Sequence, residues 1–161
     1  MTSPPLAGRS VGVLRAGDEF RLVATVPIRA GAVILRVDGH IVGTPSRHSI
    51  QVGMGEHLEV PPGASITEEL DQFGWRFLNH SCDPNGRIRD RELIALRDIA
   101  PWEDLTFDYH TTEWDLANPF ACRCGASHCV GTVSGYAHLR ADERARLRPF
   151  VAPHLLELAR G

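Results

Sequence analysis

The chain reads as a mainly β domain of short strands with a few short helices and a helical C-terminal segment, and three observations carry that expectation. Apolar residues fall in short runs or alternate with polar ones, and the runs are separated by Gly, Pro, Asp and Asn. Glycine and proline number 15 and 11 in 161 residues, a turn-rich composition, while 43% of residues are apolar, enough for one real core. Helical patterning is confined to a stretch near Thr67 and to the C-terminus.

The elements follow in order. The first ten residues carry no period and read as a loose tail, and 1–19 as a whole as tail and first turn. Strands are expected at FRLVATV (20–26), VILRV (33–37), HSIQV (48–52) and HLEV (57–60), separated by the turn chemistry of PIRAG, DGH, GTPSR and GMGE. Thr67 as N-cap, with Glu68 and Glu69 in the first turn, predicts a short helix that delivers the chain to FLNHSCDPN. RIRDRELIALRDI predicts two strands turning at Asp90–Arg91, and PWED then leads into LTFDY, an alternating strand ending at Tyr109. TTEWDLANPF has no period and is expected as a loop packed over something. ADERARLRPF and APHLLELAR read as helices, with Asp142 and Glu143 near one N-terminus and Pro149 and Pro153 as punctuation.

All 17 basic residues are arginine, and against 20 acids they leave a formal net charge of −3. A whole-protein electrostatic grip on nucleic acid or an anionic membrane is therefore not expected. RIRDRE (87–92) and RADERARLR (140–148) alternate arginine with acid, the pattern of a solvated face. No apolar run approaches the ~18 residues of a membrane span, and MTSPPLAGRS lacks a signal pattern, so the expected location is intracellular and cytoplasmic. The eight histidines include no H-E-x-x-H pair, which sets metal catalysis aside.

Cys122, Cys124 and Cys129 cluster as C-x-C-x4-C, with Cys82 far upstream. In a reducing compartment disulfides are disfavoured, and a Cys122–Cys124 bridge would strain so short a loop, whereas three soft ligands suit tetrahedral zinc with Cys82 or His128 as the fourth. The competing reading is three unligated buried thiols. RFLNHSCDPN (76–85) taken alone is a well-made turn, since Asn79, Ser81 and Asp83 can each bond nearby backbone, and DLTFDY taken alone is a core strand with a terminal tyrosine.

Taken in order, RFLNHSCDPN, EDLTFDY and the C-x-C-x4-C cluster resemble the SET domain of protein lysine methyltransferases with its post-SET zinc segment. PIRAGAVILRVDG and LIALRDIAPWEDLTFDY are similar to the family's early strand-turn-strand segment and its tyrosine strand. The resemblance implies a SET-type fold of small sheets, in which the asparagine-histidine pair and the tyrosine strand thread together in a pseudoknot-like crossing. It divides the chain into a SET domain at 20–120, a post-SET zinc segment at 121–136 and a C-terminal helical extension at 137–161. It assigns S-adenosylmethionine to Asn79 and His80, with Arg76 and Phe77 shaping the pocket, and Tyr109 to the point where donor and acceptor meet. It makes Cys82 the fourth ligand of one structural Zn2+ beside Cys122, Cys124 and Cys129. The implied substrate is a lysine of a protein or peptide, or a small-molecule amine, and the compact lysine-free chain suits a small stand-alone enzyme of bacterial type.

The implied chemistry is direct displacement by a neutral amine, which favours alkaline pH because a free lysine titrates near ~10.4. Two segments depart from the family pattern. Glu19-Phe20-Arg21 stands where G-x-G is usual, with Arg21 able to reach a carboxylate. Arg36-Val37-Asp38-Gly39 stands where a channel tyrosine is usual, with Val37 as a substitute apolar wall. These departures keep two rivals in view: a catalytically impaired, SET-like, zinc-stabilised binding module, and a zinc-stabilised interaction domain that shares only the scaffold.

Overall fold

A computed structural model of the chain describes residues 10–161, so nearly all of the expected loose tail lies outside the described residues. The strands are β1 (Val11–Ala16), β2 (Glu19–Ala24), β3 (Val33–Arg36), β4 (His40–Val42), β5 (Ile50–Gly53), β6 (Glu56–Glu59), β7 (Asn79–His80), β8 (Gly86–Arg89), β9 (Glu92–Ala95), β10 (Thr106–Phe107), β11 (Phe120–Ala121) and β12 (Thr132–Val133). The helices are α1 (Ile66–Gln72), α2 (Ala141–Leu147) and α3 (Pro153–Arg160). The strands form two three-stranded antiparallel sheets, β3-β9-β8 and β4-β6-β5, and three pairs, β1-β2, β10-β7 and β11-β12. Among the described residues no helix is long and apolar enough to cross a membrane.

Turn chemistry sets the registers. Arg89 pairs with Glu92, so Asp90 and Arg91 are a two-residue turn, and both take positive φ (49° and 62°), as a hairpin with right-handed strand twist requires. That turn falls where the sequence places it. β1 is a strand in the stretch expected as tail and turn: Ala16 pairs with Glu19 around Gly17-Asp18, with Gly17 at φ +63°, and Val11 and Val13 pack on the core. Gly12 between the two valines masks their alternation. β4 was also not expected, being only three residues long.

The cap of helix α1 lies two residues before the expected one. Ser65, not Thr67, is the N-cap: its hydroxyl accepts from the Glu68 N–H while the Glu68 carboxylate accepts from the Ser65 N–H. The LTFDY strand is shorter than expected and ends at Phe107. Asp108 leaves the ladder because its carboxylate caps the following turn, accepting from the His110 N–H at 3.0 Å.

Leu22, Val37, Leu58, Trp75, Leu93 and Leu105 belong to one large core beneath the sheets. A second, small cluster of Tyr136, Leu147, Val151 and Leu155, packed against Trp114, holds the C-terminal helices. These helices brace the segment after Tyr109. Ala152 N–H donates to the Thr111 carbonyl at 2.8 Å, and His154 Nε2 donates to the Thr112 carbonyl at 2.7 Å. Gly135 seals the junction: it sits at φ +117°, and a Cβ there would lie 2.4 Å from the Trp114 carbonyl oxygen.

Candidate active site

Two segments far apart in sequence meet in a parallel pair, Thr106 opposite Asn79 and Phe107 opposite His80, extended by Ser81 N–H donating to the Phe107 carbonyl at 3.2 Å. Such short strands need outside support, and Asn85 supplies it. Its amide donates to the Asp104 carbonyl at 2.7 Å and accepts from the Thr106 N–H at 3.0 Å, with the residue 3% exposed. Asn85 lies inside the NHSCDPN string, yet the sequence reading gave it no role.

His80 connects this crossing to the cysteines. Its Nδ1 accepts from the Tyr109 N–H at 3.1 Å, which places the ring proton on Nε2, 3.3 Å from Cys82 Sγ. Burial depresses its pKa to about 4, Asp108 opposing the shift and His110 adding to it, so the imidazole is neutral near pH 7. Its side chain is 1% exposed and faces inward. Tyr109 is half-buried as a residue, and its hydroxyl donates to the Leu78 carbonyl at 2.7 Å. Burial first, and the charge of Glu113 second, hold the phenol above its ordinary pKa, so it remains a donor.

The sulfurs of Cys82, Cys122, Cys124 and Cys129 all lie within 4.8 Å of one another, with Cys82 and Cys122 at 3.9 Å. A tetrahedron of ~2.3 Å zinc–sulfur bonds has edges of ~3.8 Å, so the four thiols fit Zn2+ in geometry as well as in chemistry. His128 instead bonds the Cys82 carbonyl through Nε2 at 2.7 Å. Burial pushes the Cys82 thiol well up and Cys122 up to about 11. Burial opposes ionisation at Cys124 too, but N–H groups of Ala126 and Cys82 and the adjacent thiols outweigh it and bring Cys124 down to about 6.

A cavity of about 30 Å³ lies beside the crossing, its wall including Ile50, Trp75, Leu78, Phe107, Tyr109 and Glu113. Glu113 went unnoticed in TTEWDLANPF; the available signal was an acid one helical turn past Tyr109. Its Oε2 accepts from Gln51 N–H at 2.8 Å and from the Thr112 hydroxyl at 2.7 Å, and its own N–H donates to the Tyr109 carbonyl at 2.9 Å. Burial raises its pKa to about 7 against those two donors. A larger groove, about 690 Å³ between β5, the β8–β9 turn and α3, contains none of the candidate catalytic, donor-binding or metal-ligating residues.

The other sequence candidates are spread around the crossing, and Arg76 borders the same cavity. Asn79 is exposed, and its amide makes one long contact, 3.4 Å to the Phe20 carbonyl. Phe77 is buried against Phe20 with ring centroids 5.3 Å apart, and the Arg76 guanidinium lies over Phe77 while pairing with Glu69 at 3.1 Å. Arg21, expected to reach a carboxylate, pairs with that of Asp104 at 3.3 Å. Val37, expected as a channel wall, is fully buried in the core, and Trp75 holds the wall instead, its indole N–H donating to the Asp38 carbonyl at 2.8 Å. Phe120, not singled out in the sequence, is 37% exposed and edge-on to both His80 and Tyr109 at 6.0 Å. That leaves an aromatic face open beside the Asn79–His80 turn.

Residues 19–110 match the SET domain family. The chain belongs to the SET-domain family. It is similar to the methyltransferase flvH of Aspergillus flavus, 29% identical over 141 residues that cover 84% of this chain and 72% of that protein. The histone-lysine N-methyltransferase ATX2 of Arabidopsis thaliana is 33% identical over 145 residues, 78% of this chain but 13% of ATX2. The histone-lysine N-methyltransferase TRX1 of Oryza sativa is 43% identical over 131 residues, 71% of this chain and again 13% of the relative. This SET domain thus spans a small part of the plant proteins it matches. Its fold matches that of KRYPTONITE solved with mCHH DNA, an H3(1-15) peptide and SAH, at a TM-score of 0.56 and 22% identity over 76% of this chain and 29% of that one.

Proposed function

We propose that the protein is an S-adenosylmethionine-dependent N-methyltransferase that acts on a lysine side chain of a protein or peptide, or on a related amine. The observation that carries this reading is the Tyr109 hydroxyl and the Leu78 carbonyl meeting at a small cavity, at the crossing of the NHSC turn and the tyrosine strand. The histone-lysine methyltransferases among its relatives and the H3 peptide held by the structural neighbour support a lysine-bearing partner. The net charge of −3 supports a domain that does not itself grip nucleic acid.

In this reading the SET domain occupies 20–120, the post-SET segment 121–136 and a bracing extension 137–161. Asn79 and the backbone of His80, with Arg76 and Phe77 behind them, hold the donor, and the open face of Phe120 offers its purine a stacking surface. When bound, S-adenosylmethionine supplies an electrophilic sulfonium methyl that an amine displaces directly. Tyr109 orients the amine lone pair through its hydroxyl oxygen, and the Leu78 carbonyl faces the same space, where it favours partial positive charge. Cys82, Cys122, Cys124 and Cys129 hold Zn2+, which fixes the 110–136 loop against the donor turn.

Calorimetric titration of S-adenosylmethionine into zinc-loaded protein, followed by transfer of a labelled methyl to lysine peptides and small amines, tests the reading. Tyr109→Phe is expected to lower turnover on the order of 10²-fold while changing donor affinity less than about threefold, the separation shown by a group that acts in the transition state. Absence of donor binding at millimolar concentration overturns the reading. It would favour a SET-like binding module without turnover, which has one observation behind it: Arg21, at a position where the family pattern has no side chain, carries a guanidinium engaged by Asp104 at 3.3 Å.

A further inference from the structure

Glu113 is a buried carboxyl group, 4% exposed, that forms no salt bridge among the described residues. Two neutral donors, Gln51 N–H and the Thr112 hydroxyl, both reach the same oxygen, Oε2. A buried carboxylate with so little compensation is costly, and burial accordingly lifts its pKa to about 7. The group is nonetheless aimed at something. It lines the cavity with Tyr109, on the same turn, and that cavity, about 30 Å³, is the size of one water molecule or one ammonium group.

We propose that Glu113 receives the cationic end of the acceptor: it binds the lysine ε-ammonium in the cavity beside Tyr109 and takes one of its protons. This deepens the methyltransferase reading and rests on it. In the step, an N–H bond breaks with its electron pair left on nitrogen, and an O–H bond forms on the Glu113 carboxylate. The amine is then neutral, its lone pair free to attack, and the proton returns to water once the methylated amine has left. Free lysine titrates near ~10.4; burial, which raises a carboxyl and lowers an amine, narrows the gap between the two groups, while their attraction as an ion pair widens it.

The groups that face Glu113 do not obscure this titration. Arg47 and His48 precede β5, Arg76 follows α1, and all three border the cavity. Arg76 is paired with Glu69. Burial, together with Arg76 and Arg47, lowers the pKa of His48. His57 on β6, opposite Gln51, and His154 on α3 are also lowered, first by burial, and the Tyr109 phenol is raised. Between about pH 6.5 and 9 Glu113 is thus the group here whose charge changes.

The test uses the zinc-loaded full chain labelled with 13C at glutamate carboxyls, the Glu113 signal being assigned by its loss in Glu113→Gln. Titration with n-butylammonium at pH 6.5 is expected to move that signal to its ionised position and lower its midpoint by at least one pH unit, while 1-butanol leaves it unchanged. A Glu113 signal indifferent to 100 mM n-butylammonium overturns the proposal, and this arm needs no turnover. In turnover with a lysine peptide, Glu113→Gln is expected to raise KM about 10- to 100-fold, leave donor affinity within threefold, and move the acidic limb of the kcat/KM profile to higher pH. Wild-type KM and pH profile in Glu113→Gln overturn the proposal and leave the methyltransferase reading standing. Failure of the wild type to bind donor overturns that reading instead, and the amine titration then decides on Glu113 alone.

Discussion

Replacing Glu113 with glutamine should make the protein more stable at pH 8 and change it little at pH 4.5. The carboxyl is fully buried, and its pKa moves from an ordinary 4.5 to about 7. The folded state therefore holds this proton more tightly than the unfolded state. Its contribution to stability falls as pH rises from 4.5 and levels off above about 7. A rise of ~2.5 pH units at ~1.36 kcal/mol each gives a cost of about 3 kcal/mol at pH 8. His80 acts in the opposite sense. Burial depresses it from 6.5 to about 4, so its contribution is present above 6.5 and is lost as pH falls through 4. Between pH 4.5 and 6.5 the two slopes oppose, which flattens the wild-type curve; Glu113→Gln should uncover the rise with pH due to His80. The glutamine can still accept from Gln51 N–H, so the fold is retained. Urea denaturation of zinc-loaded wild type and variant from pH 4.5 to 8 measures the difference, in which any zinc loss common to both cancels. A difference constant to within about 0.5 kcal/mol across that range would refute the reasoning.

Three further outcomes are expected. Cys82→Ser should lower zinc content well below one per chain by metal analysis, because Cys82 is the one ligand that ties the late cluster to the NHSC turn. His80→Ala should weaken zinc retention on the order of tenfold, seen by competition with a chelator, as well as donor binding, because the Nε2–H directed at Cys82 Sγ and the acceptor for the Tyr109 N–H are both removed. Gly135→Ala should destabilise by about 2–4 kcal/mol in denaturation, with hydrogen-exchange protection lost first in the C-terminal helices, because its Cβ would meet backbone at 2.4 Å and 2.8 Å.

What was legible in the sequence was whatever depends on residue types at short range. The Asp90–Arg91 turn, the neighbouring hairpin and the acids at the start of α2 follow from local chemistry, and the structure has them. The NHSCDPN and FDY strings marked the crossing because their resemblance to a family carries long-range information that propensity lacks. β1 was lost because Gly12 interrupts an alternation of only two valines, and the cap of α1 was misplaced because S-I-T-E and T-E-E compete for the same role. Val37 was taken for a cavity wall when it is core, since a strand pattern does not say which face looks onto a third element. Glu113 was illegible for a related reason. Its meaning depends on Gln51, 62 positions away, and on burial by helices beyond residue 140.

The strands that build the site are among the shortest in the fold. β7 and β10 contribute two residues each, too few for a ladder to fix them unaided. Their placement is therefore transferred to side chains. Asn85 clamps Thr106 from one side, and His80 grips the Tyr109 N–H from the other. His80 is in turn oriented by Cys82 Sγ, so the sulfur cluster, the imidazole and the backbone of Tyr109 form one continuous chain of contacts. The segment beyond Tyr109 is anchored separately, through Thr111 and Thr112 to the small C-terminal core. The tyrosine thus stands between two independent supports, one a thiol cluster with the dimensions of a zinc site and one apolar. This arrangement explains how a loop with almost no core of its own holds a phenol within 2.7 Å of a backbone carbonyl. The buried acid that faces the cavity lies on the side of the apolar support, next to Thr111 and Thr112, which the C-terminal helices hold.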